Sequence, residues 1–190
     1  MIKANKSKVL FLKEEFANGQ GKYIYPNRES YVGDWKNGEF HGKGSLTSPI
    51  DGSKFEGKFK NGKANGHCKV TFDSGEIFEG EFKDGEFTGH GTYASPDGEK
   101  YEGEWKNFEY HGKGSHILTE GSTYEGVFKR GKKNGKGIVI TPDGCKFEGK
   151  FKNDKANGYG KIIFTNGDVL EGEWKDGERD SQSTYTWSNG

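Results

Sequence analysis

The segment Tyr101-Glu102-Gly103-Glu104-Trp105-Lys106-Asn107 alternates ring, acid, glycine, acid, ring and base. Strand side chains alternate with period two, so Tyr101, Gly103 and Trp105 share one face and Glu102, Glu104 and Lys106 the other. With Tyr101 as position 0, the same pattern opens at Tyr31, Phe55, Phe78, Tyr124, Phe147 and Leu170, spaced by 24 residues once and by 23 thereafter. Glycine holds +2 and lysine +5 in all seven units. A Gly-x-Gly pair follows at +11 and +13, as in Gly42/Gly44, Gly89/Gly91, Gly112/Gly114, Gly135/Gly137 and Gly158/Gly160. A worn earlier unit keeps Gly19/Gly21 and Tyr23. Self-similarity at a fixed period is the mark of a repeat architecture. The chain therefore divides into an N-terminal segment with a degenerate repeat (1–30) and seven tandem repeats forming one continuous domain (31–190).

Asn-Gly at +6/+7 (Asn37-Gly38, Asn61-Gly62, and Asp84-Gly85 by analogy) is a strong signal for a type I′ hairpin. That turn predicts a register in which +4 faces +9, +2 faces +11, and 0 faces +13, with Tyr31 opposite Gly44 and Tyr101 opposite Gly114. The second loop, Pro96-Asp97-Gly98 or Pro142-Asp143-Gly144, suits a three-residue turn ending in a left-handed glycine. It pairs +15 with the next 0 and +11 with the next +4, so Trp105 sits over Gly89. Each ring then covers a neighbouring glycine, the pairing known as aromatic rescue. On the other face the register opposes Glu102 to Lys113, Glu125 to Lys136 and Lys106 to Glu109. Like charges meet at Lys60–Lys63, Lys129–Lys132 and Lys152–Lys155. The fourth hairpin tip departs from the rest, with Phe108 where a type I′ turn wants glycine. Either the turn type changes there or the ring is held by a contact.

These residues resemble the membrane occupation and recognition nexus (MORN) repeat, whose pattern is close to YEGEWKNGxxxGxGxY, and residues 101–107 are similar nearly letter for letter. The resemblance covers about residues 8–190. It implies one β-hairpin per repeat, stacked into an elongated sheet, and scaffolding or membrane-linked roles. The expected fold is all-β, an elongated single-layer antiparallel sheet of stacked hairpins, on the order of 70 Å long at ~4.8 Å per strand.

Composition agrees with an unusual core. Leu, Ile, Val and Phe make up about 18% of the 190 residues, below the ~20% floor of an ordinary packed core. Yet 14 Phe, 9 Tyr and 4 Trp, with 29 basic residues balancing 29 acidic ones, do not describe a disordered chain. Order must come from rings and backbone pairing. Zero net charge argues against nucleic acid as a partner. No apolar run approaches a membrane helix, and Val9-Leu10-Phe11-Leu12 is too short for a signal peptide. Cys68 and Cys145 lie far apart without a CxxC partner, so no disulfide framework is indicated. The reading is a cytoplasmic protein, peripheral to membrane or cytoskeleton through its partners.

Chemistry finds no foothold. The repeated Gly-x-Gly lacks the third glycine and the βαβ setting of a dinucleotide site, and no GxxxxGK[ST] loop exists. His41 and His111 share position +10 in separate repeats, without metal-ligand spacing, and Cys68 replaces a +13 glycine as filler. The expectation is no enzyme, no cofactor and no metal. What remains is surface. Ring-face candidates for a protein partner, a helix or an extended peptide, are Trp35, Phe40, Phe82, Phe87, Trp105, Phe108, Tyr110 and Trp174. Charge is banded, with repeat 3 (78–100) at −4 and repeat 5 (124–146) at +4. Lys129, Arg130, Lys132, Lys133 and Lys136 of repeat 5 are the charged-surface candidates, for a partner's acidic band or for a second copy of the chain. The alternative function is direct binding of acidic phospholipid through lysine ladders.

Overall fold

The computed structural model describes residues 18–189 and contains strands but no helix among them. A lone strand, β1 (Gly19–Ile24), leads seven hairpins. Their first strands, of seven residues each, are β2 (Ser30–Lys36), β4 (Lys54–Lys60), β6 (Ile77–Lys83), β8 (Lys100–Lys106), β10 (Thr123–Lys129), β12 (Lys146–Lys152) and β14 (Val169–Lys175). The nine-residue second strands are β3 (Glu39–Thr47), β5 (Lys63–Thr71), β7 (Glu86–Ala94), β9 (Glu109–Ile117), β11 (Lys132–Ile140), β13 (Lys155–Ile163) and β15 (Glu178–Thr186). Strand order in the antiparallel sheet is chain order, without crossover. The chain divides into two compact units at Gly91/Thr92.

Every hairpin tip is left-handed at both central residues, from Asn37 (φ 51°) and Gly38 (φ 79°) to Asp176 (φ 52°) and Gly177 (φ 92°). Such a turn matches the right-handed twist of its strands. The fourth tip obeys the same geometry: Phe108 sits at φ 61° and the turn type does not change. Successive tips are tied together. The +7 amide donates to the +9 carbonyl of the preceding hairpin at Gly62–Phe40, Gly85–Ala64, Gly131–Tyr110, Asp154–Lys133 and Gly177–Ala156, all at 2.9–3.0 Å.

The hairpin register departs from expectation in a specific way. Trp35 does face Phe40 and Asp34 faces His41, but Gly33 then faces Gly44 and Tyr31 faces Leu46. A bulge absorbs Gly42 and Lys43, and Gly42 takes φ 56° to do it. Thus +2 faces +13, and 0 faces +15. Glu102 opposes Ser115 and Glu125 opposes Ile138, so the expected Glu102–Lys113 and Glu125–Lys136 pairs do not form across the hairpins. Because the slip is two residues, every side chain keeps its expected face. The bulge frees the +12 amide, and a carboxylate at +3 takes it: Asp34 accepts from Lys43 N, and Glu104 from Lys113 N, each at 2.9 Å.

The bulge places two glycines side by side beneath one ring. Position 0 lies over its own strand's +2 and its partner strand's +13: Tyr31 over Gly33/Gly44, Tyr101 over Gly103/Gly114, Tyr124 over Gly126/Gly137 and Phe147 over Gly149/Gly160. The Tyr31 hydroxyl donates to the carbonyl of Asp34 at 3.0 Å, closing the bulge, as Tyr124 does to Val127. The second repeat lacks that hydroxyl at Phe55. There Cys68 stands opposite Gly57, not opposite Phe55 as expected, and its thiol donates to the Lys58 carbonyl at 3.3 Å. Burial pushes the Cys68 thiol up, away from thiolate chemistry. In the seventh repeat Leu170 replaces the ring, and the +13 glycine becomes Ser183.

The three-residue loops between hairpins end in left-handed glycine as expected, at Gly98 (φ 100°) and Gly144 (φ 89°). Their pairing of +15 with the next 0 and of +11 with the next +4 holds, as in Leu46–Phe55 and Gly42–Phe59. The +11 glycine, however, is required by its positive φ and by the +3 side chain rather than by the facing ring.

Candidate protein-binding face

The ring face is packed against itself. Tyr31 meets Trp35 edge-to-face at 5.1 Å and Phe59 at 5.3 Å. In the second unit the zigzag runs Tyr101–Trp105, Tyr101–Phe128, Tyr124–Phe128, Tyr124–Phe151, Phe147–Phe151 and Phe147–Trp174, all between 5.0 and 5.4 Å. Each such pair adds about 0.5–1.5 kcal/mol beyond its burial. The +9 rings stack on this row: Phe40 on Tyr31 at 4.0 Å, and Tyr110 on Tyr101 at 3.8 Å.

Among the ring-face candidates, Trp35, Phe82, Phe87 and Trp105 are no more than 5% exposed. Phe40, Tyr110 and Trp174 are half-buried, and Phe108 is exposed at its tip. Trp35 Nε1 donates to the Gly21 carbonyl at 3.3 Å, whereas Trp174 Nε1 is buried without a hydrogen-bond partner among the described residues. Trp35, Phe82, Phe87 and Trp105 thus form a core, while Phe40, Tyr110 and Trp174 keep part of their surface.

Sequence reasoning passed over one constellation on this face. His116 takes the +15 place of Leu46 and Val139, and its Nε2 lies 2.7 Å from Glu99 Oε1. The Tyr110 hydroxyl donates to the same oxygen at 3.3 Å, and burial together with the Glu99 carboxylate pushes that phenol far up. The signal available in the sequence was a polar residue in an apolar row.

The basic candidates of repeat 5 divide between faces. Lys133 faces Phe128 on the ring side, with its ammonium 5.2 Å from the centre of the Tyr124 ring, and burial lowers its pKa. Lys129 and Lys132 oppose each other on the opposite face, Lys136 lies there also, and Arg130 sits at the tip with φ 54°.

That opposite face is open. Between rows of side chains on the two sides of the strands' backbone, a groove of about 600 Å³ crosses the second unit. Gly126, Gly137 and Gly149 floor it, and Ile138 and Tyr159 supply its apolar surface. Glu125 and Glu148 stand on one side, Lys136 and Lys150 on the other. Lys146 and Lys161 both engage Glu148 and hold its carboxyl below the usual range, so that charge is internally balanced. Past Tyr159 a second hollow of about 500 Å³ is acidic, lined by Glu171, Glu173 and Asp180. Among the described residues no group of three or more His, Cys, Asp or Glu could hold a metal ion, and no helix is long and apolar enough to cross a membrane.

An open sheet of hairpins, most of them closed by a ring over paired glycines, defines a hairpin-repeat protein. The chain belongs to the MORN repeat family, whose pattern matches residues 16–29, 31–53, 55–77, 78–100, 101–123, 124–146, 147–169 and 171–190. Two solved structures are similar at lower levels. The SAS-4 (dCPAP) TCP domain of Drosophila melanogaster, in complex with a proline rich motif of Ana2 (dSTIL), is 13% identical over 85% of this chain and 88% of that one, with a TM-score of 0.49. The TCP10 domain of Danio rerio CPAP, in complex with a STIL peptide, is 13% identical over 90% and 81%, with a TM-score of 0.41.

Proposed function

We propose that this chain is a non-catalytic repeat scaffold that binds a segment of a partner protein on the face opposite its rings. The observation that carries this reading is the unequal state of the two faces: one packs most of its rings against one another, the other is grooved and lined by the exposed side chains of Glu125, Lys136 and Lys150. A groove floored by backbone between two rows of side chains admits an extended segment, and Ile138 and Tyr159 provide the apolar contact that fixes it. The burial of Trp35, Phe82, Phe87 and Trp105 moves the proposed surface away from the ring ladder. The phospholipid alternative is weakened by Glu102 and Glu125, exposed on the same face as the lysines.

The test is selection of displayed random peptides on the full chain, followed by binding to an Ile138→Glu/Tyr159→Ala variant whose circular dichroism is unchanged. Peptides are expected to bind the wild type and to lose the variant. Failure to select any peptide, or equal binding to both proteins, overturns the reading.

A further inference from the structure

On the open face of β10 to β13, three cross-strand pairs carry lysine on both sides: Lys129↔Lys132, Lys136↔Lys150 and Lys152↔Lys155. All six side chains are exposed, and none forms an ion pair with another of the described residues. The positions between them hold Val127, Asn134 and Asn157. Asp154, the acid at the neighbouring tip, turns its carboxylate to the Lys133 amide at 2.8 Å. Like charges set directly opposite are destabilising, so three consecutive pairs cost stability unless an anion lies between them. The sequence view of repeat 5 alone missed half of this strip, because Lys150, Lys152 and Lys155 arrive from the next repeat through register. The first unit has a lesser version, Lys43↔Lys58 and Lys60↔Lys63, beside the mixed pair Lys36↔Glu39.

We propose that the lysine strip of β10–β13 receives an extended acidic segment of a partner protein, running across the strands beside the groove. This inference rests on the scaffold reading and names its ligand chemistry. The strip is narrow. Its ends are mixed or acidic, with Lys106↔Glu109 and Glu104 on one side and Glu171, Glu173 and Asp180 on the other. Glu125, across the groove from Lys136, bounds it along its length. A planar anionic surface would meet these carboxylates together with the lysines, whereas a single acidic strand covers the lysines alone. Four strands at ~4.8 Å accommodate roughly five extended residues.

The probe is a fluorescent Asp-Ser repeat peptide of about eight residues, compared with a Lys-Ser peptide and with phosphatidylserine-containing vesicles. The acidic peptide is expected to bind saturably and more weakly as salt rises. A Lys132→Gln/Lys136→Gln/Lys150→Gln variant should weaken it by about tenfold, and a Lys22→Gln/Lys54→Gln/Lys106→Gln control by less than about twofold. No binding, or equal loss in both variants, overturns the proposal. Vesicle binding that depends on the three strip lysines while the peptide does not bind also overturns it, in favour of a membrane surface. If selected peptides depend on Ile138 and Tyr159 but are neither acidic nor sensitive to the lysine variant, the ligand chemistry is wrong and the scaffold reading stands.

Discussion

A methyl group built on Gly44 would stand 2.6 Å from Cε2 of Tyr31, and one on Gly33 would stand 2.6 Å from the Tyr31 hydroxyl. The ring and its two glycines are therefore one unit, and neither glycine tolerates a side chain while the ring is in place. The chain itself shows the converse, since Leu170 at position 0 accompanies Ser183 at +13.

Gly137→Ala, whose Cβ would lie 2.6 Å from Tyr124 Cζ, should destabilise the protein by about 1–3 kcal/mol, as overpacking does. In a Tyr124→Leu background the same change should cost clearly less. Denaturant unfolding of the double-mutant cycle reads the coupling, and simple additivity would contradict the unit.

Lys133 occupies the +9 place where Phe40 and Tyr110 stack on their tyrosines. Lys133→Tyr should add a third stacked pair over Tyr124 and raise stability by about 0.5–1.5 kcal/mol. A lower midpoint would mean that the ammonium over the ring contributes more than a second ring can.

Phe108 holds a left-handed conformation that costs a side chain about 1–2 kcal/mol. Phe108→Gly should therefore raise the melting temperature, with a net gain of about 1 kcal/mol after the ring's own contacts are lost. A destabilised variant would show that those contacts outweigh the backbone strain.

Burial pushes the phenols of Tyr31 and Tyr124 up to about 12, and the Asp34 carboxylate adds to the effect at Tyr31. Unfolded phenols ionise near 10. The folded state thus holds protons that the unfolded state has released, and stability is lost as pH rises from about 10 towards 12. Melting temperature against pH should fall steeply over that window, and less steeply for Tyr31→Phe. A parallel fall in both proteins would contradict the assignment.

The strands, both turn types and the face of each side chain were legible because all depend on period-two alternation and on glycine at the tips. The hairpin partners were not. A two-residue bulge leaves the faces unchanged, so the alternation of Tyr31, Gly33 and Trp35 carries no trace of it; only the +11 glycines, read as a bed for rings, marked the place. The ring ladder was legible as a row, but its burial depends on each 0 ring reaching the +4 ring of the next hairpin, as Tyr124 reaches Phe151. Lys133 was grouped with Lys132 by neighbourhood in sequence, although adjacent strand residues point to opposite faces.

The central claim is that partners meet the open face of repeats 5 and 6 and leave the ring face untouched. Amide and indole chemical shifts, followed by nuclear magnetic resonance during titration with the acidic peptide, test it most directly. The account predicts shifts concentrated in residues 129–138 and 148–159, with the buried Trp35 and Trp105 indole signals unmoved. Shifts centred on those indoles, with the lysine strip silent, would contradict it.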